Sequence, residues 1–280
     1  MDKYAVVGNP VSHSLSPQIH RLFAEQTNQN IDYQALEFAE DSFEQQVLQL
    51  IESGFKGINV TVPFKERAWA ITDILSPRAK DAGAVNTVIF QDDGLLAGDN
   101  TDGIGLTRDM ITNNHILIQH RKILVLGAGG AVRGILGPLL AQKPDLLTIA
   151  NRTIEKAQDL VHQFSENLND NTELQHCSFE DSGKQKYDLI INGTSAGLTN
   201  EVPAIPDEIL GINSICYDMM YNITQPTAFV QWAIDRGSLR QFDGLGMLVE
   251  QAAEAFFIWR GVRPETGPVI SQLRQQPVDL

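Results

Sequence analysis

Short apolar runs separated by longer amphipathic stretches recur along this chain. Within the first hundred residues, Phe43, Val47, Leu48 and Ile51 have the spacing of one apolar helix face. Runs with strand character flank such stretches and predict strands at Tyr4–Val7, Tyr33–Phe38, Gly57–Val62 and Val85–Phe90. Strands alternating with helices in this way predict a small α/β domain.

The alternation restarts near Arg121. A buried-strand pattern at Lys122–Leu126 leads into a cluster of glycines and then into a helical pattern. Further apolar runs have the spacing of strands separated by helices, at Leu146–Ala150, Tyr187–Ile191 and Ile215–Met219. This second half is typical of a doubly wound parallel sheet.

Two helical segments, Ile104–Asn113 and Met247–Trp259, are predicted to connect the halves. The length of 280 residues also favours two domains of moderate size. We therefore expect an α/β protein with a first α/β domain over residues 1–103, completed by C-terminal helices over about 246–280. A doubly wound parallel-sheet domain is expected over residues 104–245.

The charge of the chain limits its partners. The formal net charge of −14 argues against nucleic acid, because phosphate backbones are bound by a surplus of Lys and Arg. Any anionic ligand must instead meet local, specific cations, since the overall field repels it. The hydrophobic fraction of 42% is ordinary for a folded globular protein.

Metal, redox and membrane functions have no sequence signal. Cys177 and Cys216 are far apart and form no paired-cysteine motif, which fits a reducing cytoplasm, and the six histidines lack zinc-hydrolase spacing. No signal peptide follows Met1 and no run approaches the length of a membrane span. We expect no metal and a cytoplasmic location.

The glycine cluster is a candidate nucleotide-binding loop. Glycines at Gly127, Gly129 and Gly130, with Ala128 and Ala131, connect the strand to the next helix. Such a loop lets the backbone approach a pyrophosphate, which then lies against free N–H groups at a helix start. An ordinary tight turn is the alternative. The loop predicts a Rossmann-like cofactor domain.

The end of the next strand indicates which dinucleotide is bound. Asn151, Arg152 and Thr153 stand where an NAD enzyme usually carries an acidic residue for the ribose 2′-hydroxyl. Arg152 offers a planar fork to a 2′-phosphate, Thr153 a hydroxyl, and Lys156 a second cation one turn later. The pattern predicts NADP, unless the two cations are simply solvated surface charges.

Polar residues with candidate binding roles cluster in the first half. Ser14 and Ser16 lie on a loop before a helix, where Ser16 followed by Pro17 also fits an N-cap. Asn59 and Thr61 share a strand face by alternation, and Pro63 is expected to end that strand.

Three further residues come from separate segments and have ordinary alternatives. Lys65 would lie near a helix start, where it could be a solvated charge. Asn86 could be a turn residue, and Asp102 could be the N-cap of the helix that begins near Gly103.

Together these motifs resemble the shikimate dehydrogenases over essentially the whole chain. The C-terminal segment from Asp243 to Ala252 belongs to the same pattern. The resemblance implies NADP-dependent interconversion of 3-dehydroshikimate and shikimate in aromatic amino-acid biosynthesis, with Lys65 and Asp102 as the catalytic pair. It implies substrate contacts from Ser14, Ser16, Asn59, Thr61, Asn86, Tyr221 and Gln251. It also implies that Met219 and Gly244 lie near the nicotinamide.

The chain departs from the family pattern at two positions. Val132 replaces a usually small residue in the glycine loop, and Gly193 stands where Ala is more familiar. These departures concern the packing of the loop rather than the chemistry.

Two other functions stay open at this point. A quinate/shikimate dehydrogenase has broader substrate range and often prefers NAD, which Arg152 and Thr153 argue against. A non-catalytic sensor would keep the ligand-binding fold, but the chain retains both Lys65 and Asp102 and has no added output domain. We expect a small-molecule substrate, no membrane partner, and a monomer or homodimer.

Overall fold

Two six-stranded sheets organise the part of the chain that the computed structural model describes, which is residues 1–165, 168 and 172–275. The described residues divide into two compact units, Met1–Gly105 with Leu248–Gln275, and Leu106–Met247. Positions 276–280 of the predicted C-terminal segment lie outside the described residues.

The strands and helices alternate along both units. The strands are β1 (Asp2–Gly8), β2 (Ile31–Glu37), β3 (Phe55–Val60), β4 (Ile74–Leu75), β5 (Thr87–Phe90), β6 (Leu96–Asp99), β7 (Lys122–Leu126), β8 (Leu146–Ala150), β9 (Glu173–Cys177), β10 (Tyr187–Asn192), β11 (Leu210–Asp218) and β12 (Arg240–Phe242). The helices are α1 (Ser16–Thr27), α2 (Phe43–Glu52), α3 (Lys65–Ile71), α4 (Pro77–Ala82), α5 (Asp102–Arg108), α6 (Gly130–Leu140), α7 (Ile154–Ser165), α8 (Ala228–Asp235), α9 (Leu245–Arg260) and α10 (Thr266–Gln275).

The sheet of the first unit is mixed. Its order is β2-β1-β3-β5-β6-β4, with β1 parallel to β2 and β3, and β5 antiparallel to β3 and β6. Buried apolar side chains from β3 and β5, together with those of α2 and α3, form the main core under this sheet. The antiparallel pairs bring the start of β5 and the end of β6 beside the end of β3, because Asn59 faces Thr87 and Thr87 faces Asp99.

A buried histidine lies in an aromatic cluster of this unit. His20 on α1 is fully buried, and its ring stacks on that of Tyr33 with centroids 4.0 Å apart. Phe256 and Trp259 of α9 pack around it at 6.0 and 5.5 Å. Neither ring nitrogen has a hydrogen-bond partner among the described residues. Burial lowers the pKa of His20 to about 3, against a smaller, opposite effect of the neighbouring Asn59 side chain. The folded protein therefore keeps this imidazole neutral.

The neutral His20 predicts a pH dependence of stability. Between pH 6.5 and about 3 the unfolded chain binds one proton more than the folded chain, so the free energy of unfolding falls as pH is lowered. The slope from this residue is about 1.4 kcal/mol per pH unit. In urea unfolding between pH 4 and 6, the free energy of unfolding of the His20→Phe variant should fall less steeply with pH than that of the wild type, by about 1.4 kcal/mol per pH unit.

The exposed His162 provides the control for this measurement. His162→Gln should leave the wild-type slope unchanged, because this side chain is surrounded by solvent in the folded chain as well as in the unfolded chain. Equal pH slopes for His20→Phe and the wild type would contradict a neutral buried His20.

The sheet of the second unit is parallel throughout. Its order is β12-β11-β10-β7-β8-β9, and every adjacent pair is parallel. The chain runs from β7 outward to β9, returns to β10 and continues outward to β12, which is the Rossmann strand order. The predicted doubly wound parallel sheet is confirmed. The point where the order reverses, between β7 and β10, is where such sheets bind ligands.

Several element boundaries differ from the sequence predictions. Strand β3 ends at Val60 rather than Val62, because the chain turns at Thr61–Phe64, where the Phe64 N–H bonds to the Thr61 carbonyl. The predicted helix Ile104–Asn113 is helical throughout, but it continues from α5 as a π-turn at Asp109–Asn113. Within the described residues, no helix combines the length and the apolar character needed to cross a membrane.

Candidate active site

Lys65 and Asp102 form a close ion pair in the first unit. The Lys65 Nζ donates to Asp102 Oδ2 at 2.6 Å, across 37 positions of sequence. Lys65 begins α3 and Asp102 begins α5, so both side chains leave the first turn of a helix. The Asp102 side chain is 8% exposed and that of Lys65 is 22% exposed. A buried carboxylate therefore holds an ammonium whose remaining donors reach a more open space.

Asn86 connects this pair to its surroundings. Its Nδ2 donates to Asp102 Oδ1 at 2.8 Å and to Thr101 Oγ1 at 3.0 Å, and lies 3.5 Å from Gln251 Oε1. Its Oδ1 accepts from the Thr101 N–H at 2.9 Å and from Thr87 Oγ1 at 3.0 Å. Both oxygens of Asp102 are thus occupied, which fixes the orientation of the carboxylate beside Lys65.

Thr101 belongs to the same network, although the sequence did not single it out. Its Oγ1 lies 3.3 Å from Gln251 Oε1 and 3.2 Å from Asn86 Oδ1. Its neighbour Asn100 accepts from the Asp102 N–H at 3.1 Å and donates to the Ala84 carbonyl at 3.1 Å. The signal that could have found both is the unbroken polar run that follows β6.

Asn59 lies at the end of β3 and is nearly buried. Its Nδ2 donates to the Asn86 carbonyl and to Thr87 Oγ1, both at 3.1 Å, and its Oδ1 accepts from Tyr33 OH at 2.7 Å. Its amide therefore braces the strand ends that carry Asn86. The sequence prediction missed Tyr33, whose hydroxyl pKa burial raises well above the ordinary value, so the hydroxyl stays a donor.

Ser14 and Ser16 lie at the start of α1. The prediction of Ser16 as the N-cap is wrong, because the helix begins at Ser16 and the cap position is Leu15. The Ser14 Oγ accepts from the Ser16 N–H at 3.2 Å, so Ser14 meets this orphan donor and leaves the Ser16 hydroxyl free of the capping role. Thr61 follows β3 and donates its N–H to the Val7 carbonyl at 2.9 Å.

The glycine loop lies at the reversal point of the second sheet. Gly127 has a φ of 104°, a conformation that side chains disfavour, and a Cβ there would lie 3.1 Å from the Gly193 carbonyl oxygen. A Cβ on Gly129 or Gly130 would meet no protein atom within 4 Å. Helix α6 begins at Gly130, so its first N–H groups are available to an anion. The residues and the space fit a dinucleotide pyrophosphate.

The residues after β8 fit the 2′-phosphate of the same cofactor. Arg152, Thr153 and Lys156 are exposed at the start of α7. Neither cation has a carboxylate partner among the described residues, in a chain with far more acidic than basic groups. The Asn151 Nδ2 donates to the Thr153 carbonyl at 2.8 Å and shapes the turn. No acidic side chain stands at the end of β8 to repel a phosphate.

The remaining candidates, Met219, Tyr221 and Gly244, lie together beyond β11. A Cβ on Gly244 would come 2.2 Å from the Met219 carbonyl oxygen, so the two backbones touch. The preceding Asp218 is fully buried and accepts from Thr227 Oγ1 at 2.6 Å, from Asn192 Nδ2 at 3.0 Å and from the Met220 N–H at 3.1 Å. This carboxylate fixes the turn that carries Met219 and Tyr221. Burial, with a smaller contribution from Asp243, raises the pKa of Tyr221.

Val132 and Gly193, the two positions at which the chain departs from the family pattern, lie next to each other in the structure. An added Cβ on Gly193 would lie 2.5 Å from Val132 Cγ2 and 3.0 Å from Met219 Sδ. Val132 is fully buried at the start of α6. Its second methyl group therefore fills the volume that an alanine at position 193 would need. The larger residue at one position and the smaller residue at the other compensate each other.

This compensation predicts a non-additive pair of substitutions. Gly193→Ala alone overpacks the site and should cost about 2 kcal/mol, and Val132→Ala alone should cost about 2 kcal/mol by opening a cavity. The double variant should cost well under the sum of the two, because the alanine methyl enters the vacated space. Denaturant unfolding of the four proteins measures the coupling, and additive losses would contradict it.

Comparisons with known proteins agree with this geometry. Residues 6–88 match the model described as "Shikimate dehydrogenase substrate binding domain", 109–200 match "Shikimate / quinate 5-dehydrogenase", and 244–274 match "Shikimate 5'-dehydrogenase C-terminal domain". A relative from Alkalilimnicola ehrlichii, named shikimate dehydrogenase (NADP(+)), is 52% identical over 275 residues, covering 98% of this chain and 99% of the relative. The chain belongs to the shikimate dehydrogenase family.

Solved structures of similar proteins extend the likeness to three dimensions. An Ael1 enzyme from Pseudomonas putida is 44% identical, with a TM-score of 0.91 and coverage of 99% of both chains. Shikimate 5-dehydrogenase from Thermus thermophilus, solved in complex with NADP(H) and shikimate, is 31% identical with a TM-score of 0.85, covering 98% of this chain and 99% of that one. The resemblance to shikimate dehydrogenases inferred from the motifs is confirmed at the level of the family.

Proposed function

We propose that this chain catalyses the reversible reduction of 3-dehydroshikimate to shikimate with NADPH, a step of aromatic amino-acid (chorismate) biosynthesis. The observation that carries the proposal is the 2.6 Å contact between Lys65 Nζ and Asp102 Oδ2 within a network of amide and hydroxyl groups. The relatives named shikimate dehydrogenase (NADP(+)) support the same activity.

The Lys65–Asp102 pair supplies the acid–base chemistry. Reduction of a ring ketone needs a hydride at carbon and a proton at oxygen, and NADPH supplies the hydride when bound. The ammonium of Lys65 stabilises the negative charge that develops on the oxygen and donates the proton. Asp102 holds that ammonium in place through one of its hydrogens. In the oxidation of shikimate, the same pair accepts the proton from the alcohol.

The amide and hydroxyl groups around the pair suit a polyol substrate. Ser14, Ser16, Asn59, Thr61, Asn86, Tyr221 and Gln251 are proposed to bind the carboxylate and hydroxyls of shikimate. A site that pairs substrate hydroxyls rejects analogues that lack them, because its own buried polar groups would be left unpaired. The network at Asn86 and Gln251 gives the first unit the character of such a site.

NADP is proposed to bind in the second unit. Gly127, Ala128, Gly129, Gly130 and Ala131 would hold the pyrophosphate against the start of α6. Asn151, Arg152, Thr153 and Lys156 would hold the 2′-phosphate, and Met219 and Gly244 would lie beside the nicotinamide. The support for NADP over NAD is the pair of cations without carboxylate partners among the described residues and the absence of an acidic residue at the end of β8.

The same proposal includes the location, the oligomeric state and the partners of the enzyme. A cytoplasmic enzyme that acts as a monomer or a homodimer, with no partner other than its small-molecule substrates, suits a biosynthetic reaction of this kind. The reducing cytoplasm agrees with two cysteines that are both free.

Initial rates of nicotinamide reduction test the proposal, with shikimate or quinate supplied with NADP⁺ or NAD⁺ in all four combinations. Fast turnover with shikimate and NADP⁺ alone is the expected result. Comparable turnover of quinate, or with NAD⁺, would favour a quinate/shikimate dehydrogenase. Binding of shikimate without turnover in any combination would favour a ligand sensor.

A further inference from the structure

Arg78 of α4 binds two carboxylates that belong to different elements of the first unit. Its Nε donates to Asp99 Oδ1 at 2.7 Å and its Nη2 to Asp99 Oδ2 at 2.8 Å, which is a two-point contact with the end of β6. The same Nη2 donates to Glu254 Oε1 of α9 at 2.9 Å. One nitrogen therefore bridges β6 and α9.

Asp99, the first of these carboxylates, is connected to Asp102 through hydrogen bonds of Asn100. Asp99 Oδ1 accepts from the Asn100 N–H at 2.7 Å and from Ser76 Oγ at 2.6 Å. The Asn100 side chain in turn accepts from the Asp102 N–H at 3.1 Å. Through Asp99 and Asn100, Arg78 is thus connected to the backbone N–H of Asp102, the residue whose carboxylate holds Lys65.

The second carboxylate leads to Gln251. Glu254 lies three positions after Gln251 on α9, so the two residues share one face of the helix. Gln251 Oε1 lies 3.3 Å from Thr101 Oγ1 and 3.5 Å from Asn86 Nδ2. The rotation of α9 about its axis decides whether Gln251 reaches these groups, and the Arg78–Glu254 bond is the contact nearest to Gln251 on this face that helps to set it.

The local charges make an arginine necessary here. Asp99, Glu250 and Glu254 are all nearly buried, and Arg78 with Arg263 supplies the compensating charge. Burial lowers the pKa of the Arg78 guanidinium, but the hydrogen bonds and charges of Asp99 and Glu254 outweigh burial and raise it. A lysine is a single charged centre, and it cannot reproduce the two-point contact with Asp99 while reaching Glu254.

We propose that Arg78 is a positioning residue for the substrate site, setting the loop that carries Asp102 and the helix face that carries Gln251 relative to each other. This inference rests on the proposed function. It assigns Arg78 no contact with substrate or cofactor. Arg78 acts through Asp99 and Glu254. Its loss is therefore expected to impair the binding and turnover of shikimate and to leave the binding of NADP⁺ unchanged.

A purely structural ion pair would behave differently, and Arg260 provides the comparison. Arg260 lies on α9, its side chain is 20% exposed against 26% for Arg78, and it binds a carboxylate of the same unit, that of Asp2, which is more exposed than Asp99. It also donates to Gln29 Oε1 at 2.9 Å. Arg260 contacts none of the candidate site residues, so Arg260→Lys measures the loss of an arginine–carboxylate pair of the same unit away from the site.

The test compares steady-state kinetics of Arg78→Lys, Arg260→Lys and the wild type, with shikimate and NADP⁺ varied in turn. For Arg78→Lys we expect kcat/KM for shikimate to fall about 10- to 100-fold, the range that small misplacements of reacting groups cause. The KM for NADP⁺ should stay within about twofold. Arg260→Lys should leave both parameters near the wild-type values.

The outcomes distinguish a positioning role of Arg78 from a purely structural one. Equal shikimate kinetics for the two variants, or a KM for NADP⁺ that rises with Arg78→Lys as much as kcat/KM for shikimate falls, would overturn the positioning role while leaving the proposed function intact. An inactive wild type would overturn the proposed function and this inference with it. If Arg78→Lys does not fold, Glu254→Gln replaces it, and the same selective loss for shikimate is expected because the α9 contact is weakened.

Discussion

The Lys65→Ala variant is expected to lose about 10³-fold in kcat, because it removes both the proton donor and the charge that stabilises the developing alkoxide. Binding of NADP⁺ should survive, since the cofactor residues proposed above belong to the other unit. Initial rates with saturating shikimate and NADP⁺ measure the loss, and fluorescence titration measures cofactor affinity.

Lys56→Ala is a matched control for this variant. Lys56 Nζ forms an ion pair with Asp92 at 3.3 Å in the same unit, but both residues are on the surface. Exposed pairs of this kind contribute little to stability, so turnover should be unchanged. A Lys65→Ala enzyme with near-normal kcat would remove Lys65 from the mechanism.

The Arg152→Ala variant is expected to lose about 10²-fold in kcat/KM for NADP⁺ and almost nothing for NAD⁺. The loss follows from the charge-assisted hydrogen bonds between a guanidinium and the 2′-phosphate, worth about 1.5 to 3 kcal/mol. NAD⁺ has a hydroxyl in that place. Parallel kinetics with the two cofactors give the change in preference directly.

The control for Arg152→Ala removes the same charge elsewhere in the second unit. Arg236 pairs with Asp207 at the surface, and Arg236→Ala changes the net charge by the same single unit. It should leave the NADP⁺/NAD⁺ ratio unaltered. If both variants lowered NADP⁺ use equally, the overall field of the acidic chain would explain the preference and Arg152 would not be a phosphate ligand.

The parallel sheet was predictable because its inner strands are buried on both faces. Residues 123–126 of β7 and all of β8 are buried, so the first is an unbroken apolar run in the sequence and the second is apolar except for Thr148. The edge strands gave no such signal. Strand β9 has only one half-buried apolar leucine near its centre, and β12 is three residues long, so neither was predicted.

The π-turn after α5 had no local signal either. It is closed by the Asn114 N–H bonding to the Asp109 carbonyl, while the side chains of Asn113 and Asn114 bond to the Asp109 carboxylate. Tyr217, more than a hundred positions away, also donates to that carboxylate at 2.7 Å. Helix propensity says nothing about a partner at that distance in sequence.

The residues of the candidate site could be predicted from the family's motifs, but not from their separation along the sequence. Nothing local relates Lys65 to Asp102, and only the order of antiparallel strands β3, β5 and β6 brings their loops together. The resemblance to the family identified Lys65 and Asp102 as a pair, and the structure shows that their side chains are hydrogen-bonded. Thr101 and Tyr33 were missed because a hydroxyl in a polar loop and an aromatic residue on an edge strand both have ordinary explanations.

The most direct test of hydride transfer determines where the hydrogen that leaves shikimate goes. Shikimate carrying deuterium on the carbon of the alcohol that is oxidised would be incubated with NADP⁺ and the wild-type enzyme, and the reduced cofactor examined by mass spectrometry. Direct hydride transfer from shikimate predicts one deuterium per molecule of NADPH formed, at a rate that Lys65→Ala lowers about 10³-fold. Unlabelled NADPH, or no NADPH at all, would contradict hydride transfer from shikimate in this site.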